Sequence, residues 1–125
     1  MAKTILIVED NEQNLQLLVE LLSHYGYEVL EARNGLQALH LAGSRHLDLI
    51  LMDMQMPIMS GFEAVKKLRD DEKTAGIKII ALTSFALIVE KERILATGVD
   101  GFITKPIDTR DFPKIVAKIL EDKTT

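Results

Sequence analysis

The sequence of 125 residues contains no cysteine. Without cysteine the chain has no disulfide, no thiolate metal ligand and no thiol nucleophile. It also has no apolar run close to the ~20 residues that cross a bilayer. The first residues, Met1 to Thr4, lack the layout of a signal peptide. These absences predict a cytoplasmic protein that does not bind membranes.

The chain has fewer basic than acidic residues. Fifteen basic and 19 acidic residues are interleaved along the chain and leave a net charge of −4. Because no basic stripe or patch stands out, nucleic-acid binding has little electrostatic support. The length predicts one domain over residues 1–125 with no output domain, large enough to bury roughly two-thirds of the surface that the unfolded chain exposes.

Short apolar runs recur five times. Four of them are almost continuously apolar, which predicts strands covered on both faces of a sheet. The second run is more polar and fits a strand at the edge. The runs are residues 4–8, 27–30, 49–52, 77–82 and 101–104.

Longer segments with helical spacing separate these runs. In the first of them Leu15, Leu18 and Leu22 repeat at intervals of three and four residues. Glycines at 26, 43, 76 and 98 are plausible helix stops. Alternating strands and helices predict an α/β fold, a doubly wound parallel sheet of five strands with five helices on its two faces. The later helices are expected around residues 36–41, 62–68, 85–95 and 112–120.

Polar residues follow four of the five predicted strands. In doubly wound sheets, ligands bind outside the carboxyl ends of the strands. Residues far apart in sequence therefore converge at that edge if the fold is right. An ordinary structural role is also open to some of them, since Asp10 or Asn11 is a candidate N-cap of the first helix. The residues concerned are Glu9, Asp10, Asp53, Thr83 and Lys105.

The three acids among them need a cation. Two carboxylates ~4 Å apart repel each other by ~4 kcal/mol at an effective dielectric constant of 20. Three would raise one another's pKa values in the absence of a counter-charge. Mg²⁺ binds oxygen ligands and is often held by one or two carboxylates together with a phosphate. One Mg²⁺ and the ammonium of Lys105 would balance the three acids, so Mg²⁺ is the predicted cofactor.

These motifs resemble the signature of response-regulator receiver domains. The matching pieces are the run Ile5 to Asn11, the loop Asp53-x-x-Met56-Pro57-x-x-x-Gly61, Thr83, and Lys105-Pro106. They cover essentially the whole chain in the right order. The resemblance implies a flavodoxin-like sheet with strand order 2-1-3-4-5. It also implies a single-domain signalling switch of two-component phosphorelays, which is not an enzyme beyond its own phosphorylation and dephosphorylation.

The resemblance also implies roles for these residues. Asp53 would be the nucleophile that takes a phosphoryl group from a phosphohistidine on a histidine kinase or a histidine phosphotransferase. Mg²⁺ would be held by Glu9, Asp10, Asp53 and the main-chain carbonyl of Gln55. The phosphoryl oxygens would be bound by Thr83, the main chain of Ser84 and Lys105. The Lys105-Pro106 peptide bond is a candidate cis bond.

Thr83 and Phe102 would form the switch by the same resemblance. Phosphorylation would draw Thr83 inward, let Phe102 move, and remodel the face formed by helix 4, strand 5 and helix 5. That face would dock a downstream protein, with the chain itself a monomer or weak dimer. The apolar run of Leu87, Ile88 and Val89 is a candidate part of the docking surface, and burial of the run is an equally open alternative.

Two other protein classes fit less well. A haloacid-dehalogenase-type phosphohydrolase needs a second aspartate two residues after the nucleophile, where this chain has Gln55. A flavodoxin needs a glycine- and hydroxyl-rich phosphate cradle after the first strand, where Glu9 and Asp10 would repel the phosphate. The histidines lack metal-ligand spacing and are predicted to lie at the surface; they are His24, His40 and His46.

Overall fold

The computed structural model describes residues 2–56, 58–84 and 88–121. Five strands alternate with five helices along the chain. The strands are β1 (Thr4–Val8), β2 (Glu28–Ala32), β3 (Leu49–Asp53), β4 (Lys78–Thr83) and β5 (Gly101–Thr104). The helices are α1 (Glu12–His24), α2 (Gly35–Ser44), α3 (Gly61–Asp70), α4 (Ile88–Leu95) and α5 (Phe112–Glu121). None of the described helices has the length and apolar character needed to cross a membrane.

The five strands form one parallel sheet in the order β2-β1-β3-β4-β5. The predicted fold class and strand order are confirmed, and the polar strand β2 lies at an edge. β2 runs to Ala32 and not to Leu30, because it pairs in register with β1 as far as Val8. Tyr27, predicted in this strand, precedes it and packs against the core.

The apolar character of the central strands follows from two cores, one on each face of the sheet. In β3, Leu49 and Leu51 belong to one core, whereas Ile50 and Met52 belong to the other. Because side chains alternate across a strand, both sets must be apolar when helices cover both faces. All five residues of β3 are buried. Its last residue, Asp53, is therefore held by a rigid element.

Asparagine or serine side chains cap the first three helices. Asn11 Oδ1 accepts from the N–H of Asn14, and Asn34 and Ser60 play the same part for α2 and α3. Asn11, and not Asp10, is thus the cap that the sequence left undecided. Gly26 and Gly98 follow α1 and α4 with positive φ of 87° and 99°, as helix stops do.

One predicted helix end is wrong. α3 ends at Asp70, well before Gly76, because Asp71 starts a separate turn in which its carbonyl accepts from Thr74 and Ala75. The described part of α4 starts at Ile88, and the predicted start at Phe85 falls among residues 85–87, which lie outside the described part of the chain.

Arg69 ties the end of α3 to the start of β4 and to the turn before β5. Its guanidinium donates to the carbonyls of Gly98 at 2.9 Å, Ala75 at 2.9 Å and Ile77 at 2.5 Å. It also pairs with Asp100 at 3.0 Å. Asp100 in turn accepts from the N–H of Ile79 in β4. This arginine helps to fix the relative position of the two strands that carry Thr83 and Lys105.

Arg69→Met should lower the free energy of unfolding by about 2–4 kcal/mol, because hydrogen bonds to a charged group are worth more than neutral ones and their carbonyl partners lose a donor. Urea denaturation of the two proteins measures the difference. Arg45→Met is the matched control, since that half-exposed guanidinium lies 3.8 Å from Glu28. A surface pair of this kind contributes less than about 1 kcal/mol. Equal losses in the two variants would contradict a special role for Arg69.

Candidate functional site

The carboxyl ends of the strands bring the predicted residues together. Glu9 directly follows β1, Asp53 ends β3, Thr83 ends β4, and Lys105 directly follows β5. Main-chain hydrogen bonds continue the sheet at this edge, from the N–H of Glu9 to Ala32 and from that of Lys105 to Thr83. Of the four side chains, those of Glu9, Asp53 and Thr83 are buried.

Lys105 joins the two buried acids. Its ammonium donates to Glu9 Oε1 at 2.7 Å and to Asp53 Oδ2 at 3.1 Å. The ammonium is mostly buried, with 18% of its side chain exposed. The peptide bond from Lys105 to Pro106 is cis. The ammonium of Lys105 therefore bonds to two acids that lie 96 and 52 positions before it in the sequence.

The loop after β3 wraps closely around Asp53. The N–H of Gln55 donates to Asp53 Oδ1 at 2.9 Å, so both carboxylate oxygens have a donor. Gly61, the first residue of α3, comes so near that a Cβ there would lie 2.5 Å from the carbonyl oxygen of Asp53 and 2.6 Å from Met54 Cα. Only glycine permits this approach. Asp53 is thus oriented by its neighbours on both sides.

Three carboxylates form a set that fits a divalent cation. Ligand oxygens of Glu9, Asp10 and Asp53 all lie within 4.8 Å of one another. Asp10 is exposed while the other two are buried, so the cluster opens to solvent on one side. Because Asn11 caps α1, the carboxylate of Asp10 is not used as the cap. Hard oxygen ligands with an open side are what Mg²⁺ requires.

The pKa values reflect this crowding. Burial raises the pKa of Asp53 from 3.8 to about 7, and the hydrogen bond with Glu9 adds to the rise. Burial alone would also raise the pKa of Glu9, but hydrogen bonds from Asp53 and Lys105 bring it below its ordinary value. Without a metal, the interaction of the two carboxyls thus raises the pKa of Asp53 and lowers that of Glu9. The pKa of Lys105 is raised, since its two acidic partners outweigh its burial.

The side chain of Gln55 is an element that the sequence reasoning missed. Its Nε2 donates to Thr83 Oγ1 at 2.8 Å, and its Oε1 accepts from the N–H of Ser84 at 3.1 Å. The resemblance implied that the main chain of this residue is a metal ligand, and it did not indicate these two side-chain bonds. No pattern in the sequence indicated that an amide two residues after Asp53 would reach the end of β4.

The remaining predicted residues have mixed outcomes. Phe102 is half-buried against the core, and the ammonium of Lys91 lies 5.6 Å from the centre of its ring. In the candidate docking segment Val89 is 71% exposed. Leu87 and the side chain of Ile88 lie outside the described residues. The three histidines are exposed, as predicted.

Comparison of the whole sequence with known proteins shows the family of the chain. The family described as the response regulator receiver domain matches residues 5–117. The polar-differentiation response regulator DivK of Brucella ovis is 45% identical over 122 residues, which cover 98% of this chain and 99% of that protein. The corresponding DivK of Brucella anthropi is 44% identical over the same length.

Solved structures agree with the sequence relatives. The chemotaxis response regulator CheY4 of Vibrio cholerae has a TM-score of 0.90 at 30% identity, over 95% of this chain and 99% of that one. The receiver domain of the sensor histidine kinase PA1611 from Pseudomonas aeruginosa has a TM-score of 0.90 at 31% identity, over 98% of this chain and all of that one. The PA1611 domain holds a magnesium ion in its active-site cleft.

Proposed function

The chain belongs to the response regulator receiver domain family, and from that premise we propose that Asp53 is its phosphoacceptor. The protein is a signalling switch of two-component systems and not a classical enzyme. The observation that carries the assignment is the position of Asp53. It is the acid at the end of a fully buried strand, bonded to Lys105 and beside Glu9 and Asp10.

The reaction assigned to Asp53 is a direct phosphoryl transfer. A lone pair of a carboxylate oxygen forms the O–P bond of an acyl phosphate. The P–N bond of a partner's phosphohistidine breaks, and its electron pair goes to the imidazole nitrogen, which takes a proton from water. Most of the protein's contribution is then orientation of the nucleophile and neutralisation of charge. The donors to both oxygens of Asp53 support such orientation.

A divalent cation, Mg²⁺ by preference, would be held by Glu9, Asp10 and Asp53 with the main-chain carbonyl of Gln55. Ligand oxygens of the three carboxylates lie within 4.8 Å of one another, and the only positive charge that is bonded to them among the described residues is the ammonium of Lys105. The excess of negative charge supports binding of a divalent cation. When bound, the ion supplies positive charge that keeps Asp53 ionised and neutralises the incoming phosphoryl oxygens.

Three groups are assigned to the phosphoryl oxygens. Lys105 would move its ammonium from Asp53 to the oxygens as a point charge. The hydroxyl of Thr83 and the N–H of Ser84 would donate from the end of β4. Their place at the adjacent strand end, linked to the Asp53 loop through Gln55, supports this assignment.

The phosphoryl donor is a histidine kinase or a histidine phosphotransferase, and the output is the docking of a downstream protein on the face of α4, β5 and α5. Phe102 would act with Thr83 as the switch. Its half-buried ring and the exposed Val89 on α4 support a surface there that can change. A monomer or weak dimer suffices for this role, because one chain contains the whole site.

Acetyl phosphate tests the assignment of Asp53 without a partner protein. With Mg²⁺, wild type should gain one phosphoryl group by intact mass, and Asp53→Asn should gain none, because an amide nitrogen or oxygen is a far weaker nucleophile than a carboxylate. Addition of EDTA should slow the gain in wild type by at least about tenfold, since a charge at the reacting oxygens is lost.

Asp70→Asn is the matched control, since it makes the same chemical change on an exposed carboxyl at the end of α3. It should be phosphorylated as fast as wild type. An adduct that persists in Asp53→Asn, or one that disappears equally in Asp70→Asn, would refute the assignment.

A further inference from the structure

The side-chain amide of Gln55 forms hydrogen bonds with two consecutive residues at the end of β4, Thr83 and Ser84. Its orientation is fixed by chemistry, because the main-chain N–H of Ser84 can only donate and must therefore face Oε1. That leaves Nε2 directed at Thr83 Oγ1, at 2.8 Å. Both amide atoms are thus used, Nε2 by the last residue of β4 and Oε1 by the first residue after it. The Gln55 main chain at the same time holds Asp53.

We infer that the Gln55 side chain is a latch that holds Thr83 and Ser84 in the unphosphorylated arrangement and must release them when Asp53 carries a phosphoryl group. The inference rests on the proposed function of Asp53 and adds a positioning residue to it. The latch acts through the loop after β4 and takes no part in the phosphoryl transfer itself.

Competition for one donor carries the inference. The N–H of Ser84 is a single donor, and Gln55 Oε1 occupies it. A phosphoryl oxygen on Asp53 that accepts from this N–H must displace the amide. The hydroxyl of Thr83 is buried and accepts from Nε2, so a shift of Thr83 towards a phosphoryl group lengthens this bond unless the amide follows. The bond to Ser84 is therefore exchanged, not merely supplemented, when a phosphoryl oxygen accepts from its N–H.

The consequence is a bias against the phosphorylated state. A neutral hydrogen bond contributes a modest net amount to the state that contains it, equivalent to roughly fivefold in an equilibrium constant. If Gln55 is removed, the exposed Ser84 can donate to water until the phosphoryl group arrives. The variant should hence adopt the phosphorylated arrangement more readily than wild type. A glutamine that moved with the loop and donated to the phosphoryl oxygens would have the opposite effect.

Beryllium fluoride with Mg²⁺, which binds an aspartate carboxylate as a phosphoryl mimic, is the probe for this bias. Wild type and Gln55→Met are titrated and followed by amide resonances, with Gln13→Met as the control on the exposed face of α1. Methionine keeps the length of glutamine but has neither amide atom. Gln55→Ala repeats the measurement with a second side chain in case the methionine variant does not fold. Hydrogen exchange at the Ser84 amide is measured before the titration.

The latch predicts that Gln55→Met binds beryllium fluoride about five- to tenfold more tightly than wild type and that its Ser84 amide exchanges faster. Gln13→Met should match wild type in both. Equal or weaker binding by Gln55→Met would overturn the latch, whatever the exchange rate. The proposed function fails separately, if wild type does not bind the probe or if Asp53→Asn binds it equally well.

Discussion

Asp53→Asn should raise the free energy of unfolding of the metal-free protein by about 2–4 kcal/mol at about pH 8. The physical reason is the raised pKa of Asp53, about 7 in the folded protein against 3.8 in the absence of a fold. Each pKa unit corresponds to about 1.4 kcal/mol. An ionised Asp53 beside Glu9 is therefore costly without a bound metal ion, even with the ammonium of Lys105 in place, and asparagine resembles the protonated acid without that cost.

The same pKa sets the pH dependence of wild type. Between about pH 4 and pH 7 the folded protein holds a proton on Asp53 that the unfolded chain releases. Stability is thus fully present at the low end of this window and is lost as the pH rises through about 7. Glu9 acts in the opposite direction, because its pKa is lowered, and its contribution is lost only at pH values below the ordinary 4.5.

Urea denaturation in EDTA at about pH 5.5 and about pH 8 measures both effects. Wild type should be more stable at the lower pH than at the higher one. The stability of Asp53→Asn should differ little between the two pH values. Mg²⁺ should stabilise wild type at about pH 8, since a ligand of the folded state raises its stability by mass action. Asp70→Asn serves as control for the loss of one acid. If the free energy of unfolding of wild type in EDTA were the same at the two pH values, the explanation from the crowded carboxyls would be refuted.

Gly61→Ala should lower the free energy of unfolding by about 2–4 kcal/mol. The new Cβ would lie 2.5 Å from the carbonyl oxygen of Asp53 and 2.6 Å from Met54 Cα, distances that real Cβ atoms do not have. Because the obstacles are backbone atoms, α3 has to move away from the end of β3, and overpacking of this kind is costly. Phosphorylation by acetyl phosphate should slow as well, since the loop that orients Asp53 moves with α3.

Gly43→Ala is the control, and its expected effect on the free energy of unfolding is zero or of opposite sign. Gly43 lies within α2, and a Cβ there would have nothing within 4 Å. Alanine should therefore leave stability unchanged or raise it by up to about 1 kcal/mol, because it favours helix more than glycine does. Thermal melts of the two variants provide the comparison. Similar behaviour of the two variants would show that the contact of Gly61 with the Asp53 strand is unimportant.

The sheet was predictable from the sequence because its central strands are buried on both faces. Residues 49–52 are all apolar, and such a short, continuous apolar run is typical of a strand between two layers of helices. The errors fell at element ends. α3 stops at Asp70 because local hydrogen bonds of the Asp71 turn compete with the helix, and such bonds leave no clear signal in the sequence.

The sequence predicted which residues gather at this edge of the sheet, but not the hydrogen bonds between them. Glu9, Asp53 and Lys105 could be named because each stands at the carboxyl end of a predicted strand, and parallel strands end at a common edge. That Asn11, not Asp10, caps α1 required coordinates. So did the bonds of Gln55 with Thr83 and Ser84, because a long polar side chain has many directions open to it and nothing in its sequence neighbourhood selects one.

The sequence by itself determined the alternation of strands and helices and the kinds of residue at the strand ends, since both follow from local pattern and from the topology of parallel sheets. Only the tertiary structure decided how those residues act on one another. The raised pKa of Asp53, the ammonium shared between Glu9 and Asp53, and the close approach of Gly61 depend on distances of a few ångströms between segments far apart in the chain. Electrostatic and packing energies change steeply over such distances, whereas sequence spacing does not record them.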